Sequence, residues 1–262
     1  MKIEQDLKLD FSDVLIRPKR STLESRNDVN LLREFKFPHS NQVWKGVPII
    51  ASNMDTVGTV EMYHSLRKYN MLTCFHKFLD IDDYPDNDDD NNYIISIGIR
   101  DGDFTKLSNL YSKSPSSCKI ICVDIANGYI KKLVDFCQQV RKLIPNCILI
   151  AGNVVSREMV EELILNGKVD IVKVGIGSGS VCTTRLQTGV GMPQLSAIIE
   201  CSDAAHGCNG HIISDGGITC PGDASKAFGA GADFVMLGSM LSGHEESGGK
   251  LINEDYNYST SI

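Results

Sequence analysis

Apolar residues along the chain fall into short continuous runs, and the runs are separated by stretches in which apolar residues recur every three or four positions. The runs read as parallel strands covered on both faces, and the intervening stretches as helices carrying one apolar stripe. Eight such runs are present: Val47–Ala51, Met71–Phe75, Tyr93–Ile99, Ile120–Ile125, Ile148–Ala151, Ile171–Val174, His211–Ser214 and Phe234–Leu237. Between them, Ile130, Leu133, Val134, Cys137 and Val140 share one helical face, as do Met159, Val160, Leu163 and Ile164 behind a capping Ser156. Eight βα repeats predict an α/β fold, a TIM (β/α)8 barrel forming a single domain over 1–262; a doubly wound open sheet has the same alternation with fewer repeats. The rhythm breaks twice. Residues 82–92, rich in Asp and Asn, are too polar to pack a core face and read as a solvated connection, lacking the glycine turn and distal glutamate of a calcium loop. Residues 254–262 carry no helical stripe, so the eighth strand is expected to lack its covering helix.

Composition narrows the function classes. Hydrophobic residues make up 42% of the 262 and charged residues 23%, enough apolar area for a sizeable core, which excludes disorder, collagen and coiled coil. With 26 Lys+Arg against 33 Asp+Glu the net charge is -7, a field that repels polyanions, so no nucleic-acid partner is expected. A small phosphate can still be held by backbone N–H groups. The nine cysteines are odd in number, scattered and without C-x-x-C spacing, the pattern of a reduced intracellular chain with no structural metal. The N-terminus lacks the apolar core of a signal peptide and no apolar run approaches membrane-spanning length, which predicts a cytoplasmic protein with no membrane partner.

Barrels place their chemistry after the C-terminal ends of the strands. After the sixth run, Gly175, Gly177 and Gly179 alternate through a loop that continues to Ser180, Cys182, Thr184 and Arg185. Ser180 stands where a dinucleotide fingerprint needs its third glycine, so the loop is not of that type. Cys182 reads either as an inert small hydrophobe or as a thiolate nucleophile with Thr184 as proton shuttle. Asp215-Gly216-Gly217 after the seventh run and Gly238-Ser239 after the eighth suit a phosphate, with Asp215 placed to accept from a ribose diol. Asn53-Met54-Asp55, His76-Lys77, and Asp124 with Asn127-Gly128 follow other runs. Taken singly, each reads as a structural hydrogen bond, and their convergence on one barrel face predicts a large site for two ligands. His206 and His211 flank a connection and read as structural; His244 with Glu245-Glu246 reads as a solvated turn.

These motifs resemble the IMP dehydrogenase / GMP reductase family over nearly the whole chain, from Leu9–Ser21 to about Gly249. The resemblance is carried by Pro48–Thr56, the Cys182 loop, Thr188–Ala197 and Phe228–Gly238. No domain is inserted after the second strand, and Glu200–Gly207 looks like the reductase branch. The implied reaction is NADPH-dependent reductive deamination of GMP to IMP and ammonia through a Cys182 thioimidate, with Thr184 assisting proton transfer. The resemblance further implies phosphate binding by Ser180, Gly216, Gly217, Gly238 and Ser239, and ribose binding by Asp215. NADPH would lie along Lys77, Asp124, Ile125, Ala126, Ile176 and Gly177, with Ser25 and Arg26 reaching the cofactor of a neighbouring subunit in a homotetramer. K+ would sit among carbonyls of Gly177, Gly179, Cys182 and Arg185. Two departures stand out. Ser178 occupies a position where the family usually has proline, which predicts a looser loop. Family members also continue past the eighth strand into a flap, bearing an Arg and a Glu, and a final helix. A chain ending here is expected to expose an apolar strip and to react slowly or not at all, whereas a piece of a longer chain is not. Two alternatives remain: an IMP dehydrogenase using NAD+ and the same cysteine, and a nucleotide-binding protein without turnover.

Overall fold

A computed structural model describes residues 3, 5–85, 92–249, 251–254 and 257–260; part of the acidic connection expected over 82–92 lies outside the described residues. In chain order the elements are β1 (Arg33–Phe37), β2 (Gln42–Gly46), β3 (Ile49–Ala51), α1 (Val60–Leu66), β4 (Leu72–Phe75), β5 (Tyr93–Ile97), α2 (Asp101–Lys113), β6 (Ile120–Asp124), α3 (Lys131–Leu143), β7 (Ile148–Val154), α4 (Arg157–Leu165), β8 (Ile171–Val174), α5 (Thr184–Thr188), α6 (Gln194–Gly207), β9 (His211–Asp215), α7 (Pro221–Gly229), β10 (Phe234–Leu237), β11 (Leu251–Glu254) and β12 (Asn257–Thr260). Strands β3 to β10 are the eight expected from the apolar runs; they pair in parallel, in chain order, and close between β10 and β3. This is the TIM barrel. Boundaries shift where local chemistry intervenes. Strand β3 starts two residues later than the apolar run because the Val47 N–H goes to the Asn70 carbonyl and Pro48 has no N–H to give. Strand β7 runs on to Val154 through a register shift between Gly152 and Val154.

Alternation along each strand sorts residues between two cores. In β6, Ile120 and Cys122 join the barrel interior with Ile50, Ile94, Ile150 and Ile213, while Ile121 and Val123 face the helices. Helix α3 covers that outer face with Leu133, Val134, Phe136, Cys137 and Val140, and α4 with Val160, Leu163 and Ile164. Ser156 occupies the N-cap position of α4, although its side chain makes no capping bond.

The interior is stoppered at its N-terminal end by an antiparallel hairpin, β1 paired with β2, where the apolar runs predicted no strand. Its turn residue Asn41 takes a left-handed φ of 54, and Phe37 and Trp44 insert among Leu72, Ile120, Ile148, Ile171 and Phe234. Phe35 lies with its ring centroid 4.5 Å from that of Phe234. The hairpin replaces solvent at the open bottom of the barrel with aromatic area.

Beyond β10 the described residues hold a 3-10 turn, Ser239–Leu241, and the β11–β12 hairpin, and no α-helix among them covers the last strand. A groove of about 540 Å³ lies beside β3 and α7, lined by Val29, Leu31, Ile49 and Phe228 together with Arg33 and Asp233. The turn at His244 is anchored rather than merely solvated. Thr59 Oγ1 donates to the Glu246 carbonyl at 2.6 Å, Ser65 Oγ to its carboxylate at 2.9 Å, and the Gly248 N–H to the Thr56 carbonyl at 2.9 Å. No helix among the described residues is long and apolar enough to cross a membrane.

Replacing Phe37, 2% exposed, with alanine should lower stability by about 3–5 kcal/mol, because the hairpin cannot collapse into the vacated space. The urea midpoint followed through Trp44, the single tryptophan, measures it.

Candidate active site

The top layer of the barrel interior is charged. Strand periodicity that points Ile120 and Cys122 inward also points Asp124 inward, and the same count from Ile171 reaches Lys173. Lys173 is 3% exposed and lies within ion-pair distance of Asp124 (2.6 Å) and Asp215 (2.8 Å). Burial opposes its charge, but the two carboxylates outweigh that cost and hold its pKa well above the ordinary lysine value. Burial likewise pushes the Asp124 carboxyl up, and Lys173 brings it below the ordinary range. Asn153, at the irregularity in β7, donates through Nδ2 to the Gly175 carbonyl at 2.7 Å and to Asp215 Oδ2 at 2.8 Å. Of this network, Lys173 and Asn153 were not singled out in the sequence. The available signal was a lysine interrupting an apolar run.

Above this layer the glycine loop divides two cavities. Gly175, Ile176, Gly177, Cys182 and Thr184 face a cleft of about 630 Å³, which Lys77, Asp124, Ile125 and Ala126 also line. Gly179 and Ser180 face a smaller pocket of about 150 Å³, shared with Asp215, Gly216, Gly217, Gly238 and Ser239. Every expected nucleotide-binding residue lines the small pocket, and every expected cofactor residue except Ser25 and Arg26 lines the cleft. Phe78, Arg100, Asp103, Asn153 and Lys173 also line the cleft and were not anticipated. Asn53 and Met54 line the pocket, whereas Asp55, His76 and Asn127 line neither cavity. Ser25 caps an exposed 3-10 turn that begins at Arg26, away from both.

Cys182 is exposed, with Sγ 3.2 Å from Thr184 Oγ1 at the start of α5. Six of the other cysteines are buried, and desolvation pushes the thiols of Cys118, Cys147 and Cys201 up to about 12. The loop is held from below. Ser178 Oγ donates to the Asp215 carbonyl at 2.9 Å, a tether that a proline cannot make and that offsets the looseness expected from its absence. Gly216 has φ 89, and a Cβ there would lie 2.4 Å from Ser178 Oγ, so only glycine lets strand end and loop approach this closely. Asp215 is more committed than expected: Oδ2 already accepts from both Lys173 and Asn153. Among the four residues expected to hold a cation, the Gly179 carbonyl accepts from the Cys182 N–H and the Arg185 carbonyl from the Gly189 N–H, both at 3.0 Å. Each carbonyl retains a lone pair.

Fold and site together define a barrel whose C-terminal strand ends carry a buried lysine between two carboxylates and, above them, a glycine loop with an exposed thiol. Comparison with known proteins is more specific: the profile described as "IMP dehydrogenase / GMP reductase domain" matches residues 8–260. The chain belongs to this family. It is 57% identical to a GMP reductase of Citrobacter koseri and 59% to one of Photobacterium profundum, in each case over 97% of this chain and 75% of the relative. A crystal structure of inosine 5' monophosphate dehydrogenase from Legionella pneumophila superposes with a TM-score of 0.81 at 29% identity, covering 95% of this chain and 74% of that one. The chain is thus much more similar to these reductases than to that dehydrogenase.

Lys173→Met should cost about 3–5 kcal/mol by leaving two partly buried carboxylates without their cation. That loss should shrink as the pH falls: the depressed Asp124 pKa contributes stability above the ordinary carboxylate range, which disappears as the group protonates. Urea denaturation of both proteins at neutral and acid pH tests the convergence.

Proposed function

We propose that this chain is an NADPH-dependent oxidoreductase acting on GMP, by GMP + NADPH + H+ → IMP + NH3 + NADP+. The observation that carries the reading is that Cys182 and Thr184 line a cleft of dinucleotide size on the same loop whose Gly179 and Ser180 line a small glycine-rich pocket. Asp215 receives the ribose through its free oxygen. Ser180, Gly216, Gly217, Gly238 and Ser239 surround the phosphate, held by backbone N–H groups rather than by a cationic cluster.

Cys182 adds as thiolate to purine C2, forming a C–S bond. Thr184, within hydrogen-bond reach of the sulfur, relays the thiol proton to the C2 amine, which leaves as ammonia and gives a thioimidate. Bound NADPH supplies the hydride that reduces this carbon. Cys182 is then expelled and reprotonated, releasing IMP, so one sulfur serves both halves of the reaction.

The cleft fits that cofactor chemically. Lys77 and Arg100 offer cations for phosphates, and Ile99, Ile125 and Ala126 offer apolar walls for rings. Ser25 and Arg26, exposed and away from both cavities, serve the cofactor of a neighbouring chain in a homotetramer. The free lone pairs of the Gly177, Gly179, Cys182 and Arg185 carbonyls receive K+, which stiffens the loop under Cys182.

Adding GMP to the protein with NADPH in K+ buffer should produce loss of NADPH absorbance and release of an equal amount of ammonia. Cys182→Ala should abolish both, Thr184→Val should slow them by about 10²–10⁴-fold, and Na+ in place of K+ should reduce the rate. Tight GMP binding without oxidation would instead identify a nucleotide-binding protein without turnover, and IMP-dependent reduction of NAD+ a dehydrogenase.

A further inference from the structure

His206, His211 and Asp233 converge at the opposite end of the barrel from Cys182. His206 lies in the last turn of α6, His211 opens β9, and Asp233 immediately precedes β10. One ligand atom from each lies within 4.8 Å of the other two. His206 Nε2 is 3.0 Å from Asp233 Oδ2, and His211 Nδ1 is 3.2 Å from Asp233 Oδ1.

The protonation of His211 is constrained from its other side. Its Nε2 lies 3.1 Å from the Lys36 carbonyl, and a carbonyl only accepts, so Nε2 carries a proton. Nδ1 is buried and makes no hydrogen bond of acceptable geometry. In the neutral ring its lone pair therefore faces a carboxylate oxygen, an arrangement that is repulsive unless a positive charge lies between them. The carboxylate cannot easily turn away, because Oδ2 also accepts the Ile212 N–H at 2.9 Å.

A proton on Nδ1 satisfies this geometry, and so does a metal. Tetrahedral zinc with bonds of about 2.0–2.1 Å spaces neighbouring ligand atoms about 3.3 Å apart, inside the 4.8 Å that spans one ligand atom from each of the three residues here. Two imidazoles and a carboxylate are a donor set for zinc, and the outer hydrogen bond from Nε2 to a backbone carbonyl is the contact that orients a metal-binding imidazole. We propose that His206, His211 and Asp233 bind a divalent transition metal, Zn2+ by its donor set, with a fourth position left to water. The ion joins the end of α6 to the starts of β9 and β10 and, through Lys36, to the hairpin that closes the barrel. Cysteine spacing could not reveal this site, because its ligands are two histidines and an aspartate brought together by the pairing of β9 with β10 under the end of α6.

The test uses the whole chain, stripped with EDTA, dialysed and titrated with Co2+ as a spectroscopic probe. The expected result is equimolar binding with the visible bands of four-coordinate Co2+, without thiolate charge transfer, together with displacement by Zn2+ and a raised melting temperature with Zn2+. His206 is half exposed, so His206→Ala should fold and keep GMP-dependent NADPH oxidation while weakening Co2+ binding by at least about tenfold. Absence of binding overturns the proposal. So does binding that survives His206→Ala, or binding lost in Cys182→Ala or Cys220→Ala, the two exposed thiols.

Discussion

A single buried ammonium organises the working end of this barrel. Lys173 is almost wholly withdrawn from solvent, so its charge is tolerable only while Asp124 and Asp215 remain within contact distance. That requirement links the ends of β6, β8 and β9, and Asn153 adds the end of β7 by bonding Asp215 and the Gly175 carbonyl together. Asp124 and Lys173 line the large cleft, and Asp215 lines the small pocket. The two ligand spaces therefore share a wall whose position is set electrostatically. The Cys182 loop rests on that wall through the Ser178 hydroxyl and the Gly216 approach.

Much of this was legible in the residues. All eight barrel strands stand at the eight apolar runs, because strands covered on both faces must be apolar throughout. The strand-end glycines and Asp215 marked the small pocket for the same reason: little else in a strand-to-helix loop calls for so many residues without side chains. The N-terminal hairpin was hidden because only Phe35, Phe37 and Trp44 carry its burial, among charged neighbours that resemble a surface segment. Lys173 was hidden because a lysine in a short apolar run can be absorbed into the strand without asking what neutralises it. Its partners are 49 and 42 residues away, beyond any local pattern.

The resemblance to the family supplied what no pattern of residues carries, namely which ligand each cavity suits. It left one loop residue as an apparent weakness. Ser178 shows how a missing backbone restraint can be replaced by a side-chain bond, since its hydroxyl reaches the Asp215 carbonyl from the position where a proline would have fixed φ.

Closure of the sheet has a further consequence for how the chain comes to be folded. Ile49–Ala51 pair with Val235–Leu237, so the first barrel strand must wait for the last. During synthesis β3 therefore has one flank laddered to β4 and the other bare, an apolar edge that invites intermolecular pairing until β10 emerges. The stretch of chain between those two strands sets how long the nascent protein depends on its surroundings to keep that edge solitary.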